Sequence, residues 1–360
     1  MSSGDPGTSR GVTAISPDAA HANGRGRMTD KADFRSYYGR PIIKEPVWTW
    51  EIPWYFFTGG LTGASSALAA GARIAGHETL ARRATLTALA MTLVNPVLLI
   101  SDLGRPARFL NMLRMFKVTS PMSVGSWVLS AHGGTATLAG LSELTGRAPR
   151  TGVASDLAAG ALGTVLATYT ALLVSDTAVP AWHEARIELP FIFAGGAMAS
   201  AGAAAAIVTP VAQAEPARRL TVLGAVLELG AAQVMERRLG ELAEPYEQGT
   251  VAKLKWAALG LTAGGATCVA LAGRRSRAAA VLGGALTLAG AACERWTIFK
   301  AGFVSARDPK YTVKPQRRRM EERAASDGAR PVGSSRSGAE ERPGTGTSAD
   351  GAGHGEGRAG

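Results

Sequence analysis

Long apolar stretches separated by short polar segments make up the middle of the chain. They are built mainly from Ala, Leu, Gly, Val and Thr, with almost no charge. A helix needs about 20 apolar residues to cross a bilayer, and lipid offers no water to an unpaired backbone. The pattern predicts an all-α integral membrane protein with about eight transmembrane helices, over residues 52–75, 81–101, 122–144, 153–175, 189–212, 220–239, 251–272 and 278–300.

Polar regions at the two ends divide the chain into three parts. Residues 1–46 are predicted to be a disordered N-terminal segment, and Met28 within it is an alternative start. Residues 47–304 are predicted to form the transmembrane domain, arranged as two four-helix bundles. Residues 305–360 have low complexity and are predicted to be a disordered tail.

The distribution of charge predicts the orientation of the chain in the membrane rather than a binding partner. The net charge of +11 lies mostly in loops and tails, where Lys and Arg set membrane topology, so nucleic acid is not expected as a partner. The internal loops on the two sides carry nearly equal numbers of basic residues, and the basic tails favour termini on the cytoplasmic side. We expect a multi-pass protein of the cell membrane.

Metal and haem chemistry are not expected within this chain. The two cysteines, Cys268 and Cys293, can supply neither a disulfide framework nor a four-thiolate iron–sulfur cluster. Haem held within a bilayer usually needs two facing histidines, but only His132 of the five lies deep in a span. No metal-ligand spacing occurs elsewhere.

Ionisable residues at bilayer depth are costly and are therefore candidates for function. His132 lies in the middle of the third span and Glu228 in the middle of the sixth, while Glu51 opens the first. His132 could equally be a packed imidazole, and Glu51 an interfacial carboxylate that faces water. Glu228 has to be paired, protonated or hydrated.

The expected topology gathers polar residues at one end of the first four spans. An even number of spans puts that end on the same side as both termini. Asp102 and Arg105 are three residues apart and could pair as a structural clamp. Phenols and carboxylates at such a place could bind a quinone carbonyl and move its protons. The residues gathered are Glu51, Tyr55, Asp102, Arg105, Tyr169, Asp176 and His183.

Four stretches resemble the NrfD / polysulfide reductase membrane-subunit family. They read WTWEIPWYFFTGGLTGASS, SDLGRPARFLNMLRMFKVTSPMSVGSW, TYTALLVSDTAVPAWHE and ERWTIFKAG, and the likeness extends over residues 37–315. The resemblance implies an eight-helix anchor without haem that exchanges electrons and protons with a quinone. Menaquinone is the quinone expected. Its implied partners are an iron–sulfur electron-transfer subunit and a molybdopterin catalytic subunit, so that this chain does not act alone on the terminal substrate.

The resemblance also implies roles for individual residues. Tyr169 matches the family's quinone-binding tyrosine, and Glu51 and Tyr55 stand where the family places polar groups near the quinone. A proton path through His132, Asp176 and Glu228 is expected. The residues expected to serve partner docking or structure are Asp102, Arg105, Arg108 and His183.

Two other functions remain open at this stage. A proton-coupled secondary transporter could use His132 and Glu228, although no internal repeat of the kind common in transporters is visible. A purely structural anchor that has lost its quinone site is the other alternative. The Arg-rich segment after the second span favours docking of a partner over solute transport.

Overall fold

The computed structural model describes residues 42–105 and 107–328, and side chains as far as residue 325. Every regular element within these ranges is a helix. The eight long helices are α1 (Glu51–Ile74), α2 (Glu78–Asp102), α4 (Pro121–Thr145), α5 (Pro149–Ser175), α7 (Leu189–Val208), α8 (Glu215–Leu239), α9 (Gly249–Leu271) and α10 (Arg277–Arg307). Three shorter helices are α3 (Ala107–Met112), α6 (Pro180–Glu184) and α11 (Lys310–Gly328).

Local sequence explains where several helices begin and end. The Ser120 hydroxyl accepts a hydrogen bond from the Ser123 amide at the start of α4, and Pro121 occupies the first turn, where its missing N–H costs nothing. The same helix ends at Gly146, whose φ of 68° is the left-handed conformation that glycine adopts without strain. Short connections after α1 and α4 make the following helices antiparallel neighbours.

Four of the long helices are long and apolar enough by composition to cross a membrane: α2, α5, α7 and α9. The chain is a multi-pass membrane protein. The other four have lower hydropathy. Two of them carry charged residues that are buried against neighbouring helices, Glu228 in α8 and Arg295 in α10. Burial inside a bundle lets a helix carry polar groups at bilayer depth. Eight crossings therefore stay a prediction, supported by eight helices of sufficient length.

Contacts divide the long helices into two groups. Helices α1, α2, α4 and α5 pack on one another, and α7 to α10 do the same, while α1 and α7 lie against each other where the groups meet. Glycines allow the closest approaches, because a Cβ at Gly63 would overlap the backbone of Gly163 in α5. Whether these groups are two separate four-helix bundles stays an interpretation of the contacts.

A cluster around Arg73 holds one end of the first group together. The guanidinium donates to Asp156 of α5 at 2.9 Å and to Glu143 of α4 at 2.6 Å. It also donates to Glu78 of α2 at 3.0 Å. Asp156 is buried and accepts a further bond of 2.9 Å from Thr85. One arginine at the end of α1 thereby contacts the three other long helices of its group.

The chain after residue 304 differs from the predicted disordered tail. Helix α10 continues to Arg307, and α11 follows from Lys310 to Gly328. The low hydrophobicity of α11 suggested disorder, but the helix is held by ion pairs that composition does not reveal. They join Lys310 to Glu244 at 2.9 Å, Lys314 to Glu241 at 3.1 Å and Arg319 to Glu184. The remainder of the predicted tail, like residues 1–41 and the alternative start at Met28, lies outside the described residues.

Candidate quinone site

The start of α1 and the end of α2 are joined through Thr49. Its amide donates to the Asp102 carboxylate at 3.2 Å. Its hydroxyl shares one proton between the Asp102 carboxylate, at 3.0 Å, and the Glu51 carboxylate. Nearby, the Trp48 ring stacks on Trp182 of α6, with the centroids 5.5 Å apart. The structure therefore brings Glu51 and Asp102 together at the end of the group where the sequence predicted them.

The predicted clamp between Asp102 and Arg105 is wrong. No ion pair joins them among the described residues, because Asp102 bonds to Thr49 instead. Helix α2 ends at Asp102, and Gly104 turns the chain with a φ of 66°. The spacing of three residues therefore no longer places the two side chains on one helical face. Arg105 is exposed.

Tyr55 of α1 and Tyr169 of α5 form the centre of this site. Both are buried, with exposed fractions of 3% and 7%, and they lie close enough to interact electrostatically. Neither hydroxyl has a hydrogen-bond partner within the described part of the chain. A buried phenol usually finds a partner, so both hydroxyls are available to a ligand.

The position of the Tyr169 ring depends on Gly125 at the start of α4. A Cβ at residue 125 would overlap the phenol ring and its hydroxyl, so that only glycine leaves room for the ring. Tyr55 lies over Gly59, whose added Cβ would meet the ring at 3.6 Å. Tyr169 is thus set into a recess between α4 and α5.

These residues fit a quinone by the chemistry of their donors. A quinone offers two carbonyl acceptors, and the site offers two phenol hydroxyls without partners and a buried carboxylate that holds a single hydrogen bond. Phenols donate to a carbonyl oxygen. A carboxylate can accept the proton of the reduced form.

His132 lies deeper in the same helix group, beside a cavity of about 290 Å³ between α2, α3 and α4. Its Nε2 lies 3.0 Å from the Ser66 hydroxyl of α1. Asn95 also faces the cavity, and its Nδ2 donates to Thr62 at 2.9 Å. The Asn95 Oδ1 and Thr92 Oγ1 atoms are buried without a partner in the described residues. Unpaired buried acceptors and donors make this cavity able to hold water or a polar ligand.

The remaining predicted residues lie at the edge of the site. Asp176 ends α5 and is exposed. His183 in α6 has its Nδ1 3.2 Å from the Ser175 carbonyl oxygen, which fixes the ring against the end of α5. Arg108 in α3 donates to the Leu103 carbonyl at 3.3 Å. The loop after α2 comprises residues 103–120 and includes α3. Arg105 and Arg108 are exposed on this loop, where a partner could reach them.

Glu228 belongs to a different part of the molecule. It lies in α8 against Gly195 and Gly196 of α7 and close to Arg295 of α10. His132 lies between α1, α2 and α4. The predicted proton-path residues are therefore divided between the two helix groups, and no described contact joins them.

Sequence reasoning did not name Thr49, Asn95 or Arg295 as site residues. Asn95 is an amide inside an apolar stretch, and Arg295 is a charge at the depth of the eighth predicted span. The rule that selected Glu228 would also have selected Arg295. Thr49 gave no signal, because a threonine beside a tryptophan is ordinary at a membrane surface.

Comparison with known proteins identifies a family. A family model described as "Polysulphide reductase, NrfD" matches residues 42–306. This range contains the described helices α1 to α9 and nearly all of α10. A search among curated proteins gives no significant match.

Proposed function

Because the chain belongs to the NrfD polysulphide reductase family, we propose that it is a subunit exchanging electrons and protons between a quinone and an iron–sulfur partner. The family comprises membrane subunits of quinone-interacting oxidoreductase complexes, which generally work with iron–sulfur and molybdopterin subunits. For this chain we propose menaquinone as the quinone and both subunits as partners. The buried pair Tyr55 and Tyr169, whose hydroxyls have no partner in the described residues, is the observation that carries the proposal.

Each polar residue has a role that follows from its chemistry. Tyr55 and Tyr169 donate hydrogen bonds that fix the head group and polarise its carbonyl oxygens. Glu51 holds or releases a proton, and Thr49 keeps its carboxylate in place through their hydrogen bond. A bound quinone supplies the chemistry of taking up two electrons and two protons. The partner subunit supplies or receives the electrons.

Within the first helix group, His132 and Asp176 are proposed to serve proton movement. His132 contacts Ser66 and faces the cavity that contains Asn95, so water in this cavity would connect it to neighbouring polar atoms. Asp176 lies at the exposed end of α5, where it can exchange protons with water. Arg105, Arg108, Asp102 and His183 are proposed to shape the docking surface around the loop after α2.

Replacing Tyr169 by Phe tests the proposal. Tyr169→Phe removes one donor and keeps the aromatic ring. A hydrogen bond worth about 1–1.4 kcal/mol corresponds to a loss of roughly 5- to 10-fold in quinone turnover. Steady-state quinone reduction or quinol oxidation is measured in the purified complex. Assembly with the partner is measured by co-purification and should not change.

Tyr311→Phe is the matched control, since Tyr311 is another buried tyrosine but lies in α11, outside both helix groups. Its hydroxyl accepts a 3.2 Å hydrogen bond from the Gln248 Nε2 and contacts no residue of the candidate site, so turnover should stay near the parent value. Unchanged turnover in Tyr169→Phe would exclude the role of this residue. A chain that purifies alone and binds a solute would instead favour a proton-coupled transporter. A complex without quinone or inhibitor-sensitive activity would favour a structural anchor.

A further inference from the structure

A carboxyl group and a guanidinium group lie near each other inside the second helix group. Glu228 of α8 and Arg295 of α10 are buried, with exposed fractions of 1% and 2%. Both flank Gly196 of α7, because a Cβ there would lie 2.5 Å from the Glu228 Oε1 and 2.7 Å from the Arg295 Nη2. The missing side chain of residue 196 thus leaves space directly between the two groups.

These groups are only partly satisfied by the protein. Arg295 donates from Nη2 to the Phe193 carbonyl at 2.9 Å, and its guanidinium lies 4.0 Å from the centre of the Phe193 ring. Its Nη1 and both carboxylate oxygens of Glu228 have no hydrogen-bond partner among the described residues, and no ion pair within 4 Å joins them. A buried charge left in this state is strongly unfavourable. Water or a bound proton would remove that cost.

Further ionisable residues line a cavity close to this pair, toward the end of α8. Glu228 and Arg295 do not line it themselves, but their neighbours in the chain, Leu229 and Glu294, do. A cavity of about 140 Å³ between α8, α9 and α10 is lined by Glu236, Lys255 and Glu294. Glu236 and Lys255 form an ion pair of 2.9 Å near the C-terminal end of α8. This end of α8 is on the same side of the molecule as the loop after α2. Glu294 interacts electrostatically with both, and also with Arg295 and Glu228.

The volume of the cavity suits water rather than a larger ligand. A cavity of about 140 Å³ has room for several waters. Carboxylates, an ammonium group and the Tyr246 and Thr297 side chains line this region or lie beside it, so such waters would have polar partners. The charged groups facing Glu228 come from α10, whereas α7 presents Gly195 and Gly196.

We propose that Glu228 and Arg295 form a hydrated proton-binding site at bilayer depth, loaded through the cavity of Glu236, Lys255 and Glu294. The entrance lies at the end of the molecule that carries the start of α1 and the loop after α2. The site is separate from Tyr55 and Tyr169, with which it shares no described contact. The second helix group thereby takes up protons by its own route, and this site exists whether or not the tyrosines bind a quinone.

Access of water is tested with a matched pair of buried positions. Thr297 lines the cavity and Ile298 does not, although their exposed fractions are 1% and 0%. In a background of Cys268→Ser and Cys293→Ser, the full chain in lipid vesicles carries either Thr297→Cys or Ile298→Cys. A small membrane-impermeant thiol reagent added from the side of the loop after α2 should modify the first at least 10-fold faster. Equal rates, or reaction only from the opposite side, would overturn the route.

The proton itself is followed by infrared spectroscopy of the full chain in lipid. A carboxyl band that responds to bulk pH and shifts in D₂O should disappear in Glu228→Gln but persist in Glu241→Gln, which alters a surface carboxylate outside the cavity. Persistence of every such band in Glu228→Gln would exclude Glu228 as the proton site. The thiol experiment keeps Glu228 intact, so it decides on the route even where Glu228→Gln fails to fold.

Discussion

Packing against helix α4, rather than a hydrogen bond, holds the Tyr169 side chain in position. Its ring fills the space that a side chain at Gly125 would take, so the neighbouring helix α4 fixes where the hydroxyl points. A hydroxyl held by packing stays free to bind a ligand. The same arrangement makes the site sensitive to a change that touches no polar atom.

Gly125→Ala should therefore impair quinone turnover although the Tyr169 hydroxyl itself is retained. The added methyl group overlaps the ring, and overpacking of this kind costs about 1–3 kcal/mol. We expect a loss of turnover comparable to that of Tyr169→Phe, together with a lower melting temperature. Gly134→Ala in the same helix is the control, since its Cβ would meet no atom within 4 Å. Equal turnover in the two variants would contradict the packing role of Gly125.

Single residues were predictable only where their type is unusual at their depth. Tyr55, Tyr169 and Glu51 could be placed at one end from topology and family resemblance. The hydrogen bonds from Thr49 to Asp102 and from Asn95 to Thr62 could not, because they depend on how each helix is rotated about its axis. Hydropathy gives the length of a buried helix but little about its rotation.

At the scale of the helices, Arg73 joins α1 to its neighbours by charged hydrogen bonds. Its guanidinium holds buried Asp156 and contacts Glu143 and Glu78, on three different helices. Removing one partner of a buried ion pair leaves a charge without compensation, at a cost of about 3–5 kcal/mol.

Arg73→Met should therefore destabilise the packing of the first helix group strongly. Arg82→Met is the matched control, because the Arg82 side chain is 60% exposed and its Nε lies as far as 3.9 Å from the Glu143 Oε2. An exposed ion pair of this kind contributes about 0–1 kcal/mol. Unfolding midpoints of both purified variants in the same detergent measure the difference. Similar midpoints would show that the Arg73 cluster contributes little.

Elements were more predictable than residues. All eight predicted stretches correspond to long helices, although α5 and α8 begin earlier than predicted and α7 ends at Val208, ahead of Pro210. Helix α11 was missed because it is held mainly by ion pairs, and Tyr311 in its first turn is its buried ring. The hydrogen bond from Lys310 lowers the pKa of the Glu244 carboxyl. The stabilisation from this ion pair is therefore fully present above the usual carboxylate pKa and is lost as pH falls through the lowered pKa.

For the whole molecule, the orientation in the membrane decides which compartment meets the site. An even number of crossings would put the loop after α2 on the same side as the termini, and the basic tails predict that this side faces the cytoplasm. Family membership leaves the orientation open, so it stays a prediction with a direct test.

Thiol labelling of intact cells checks this orientation. In the background of Cys268→Ser and Cys293→Ser, Ala107→Cys lies on the loop after α2 and Arg275→Cys lies between α9 and α10, and both positions are exposed. An impermeant reagent should label Arg275→Cys in intact cells and Ala107→Cys only after the membrane is opened. The reverse pattern would place the candidate site outside the cytoplasm.

The Arg73 cluster also bears on how the first helix group deforms. At one end, four helices are joined by charged hydrogen bonds to a single side chain, whereas toward the other end α1 and α2 are joined by the neutral bond from Asn95 to Thr62 and by the contacts of Thr49. We therefore expect this group to be stiffer at the Arg73 end than at the end that carries Tyr55 and Tyr169. A bulky ligand arriving from the lipid is expected to separate the helices more easily at the tyrosine end.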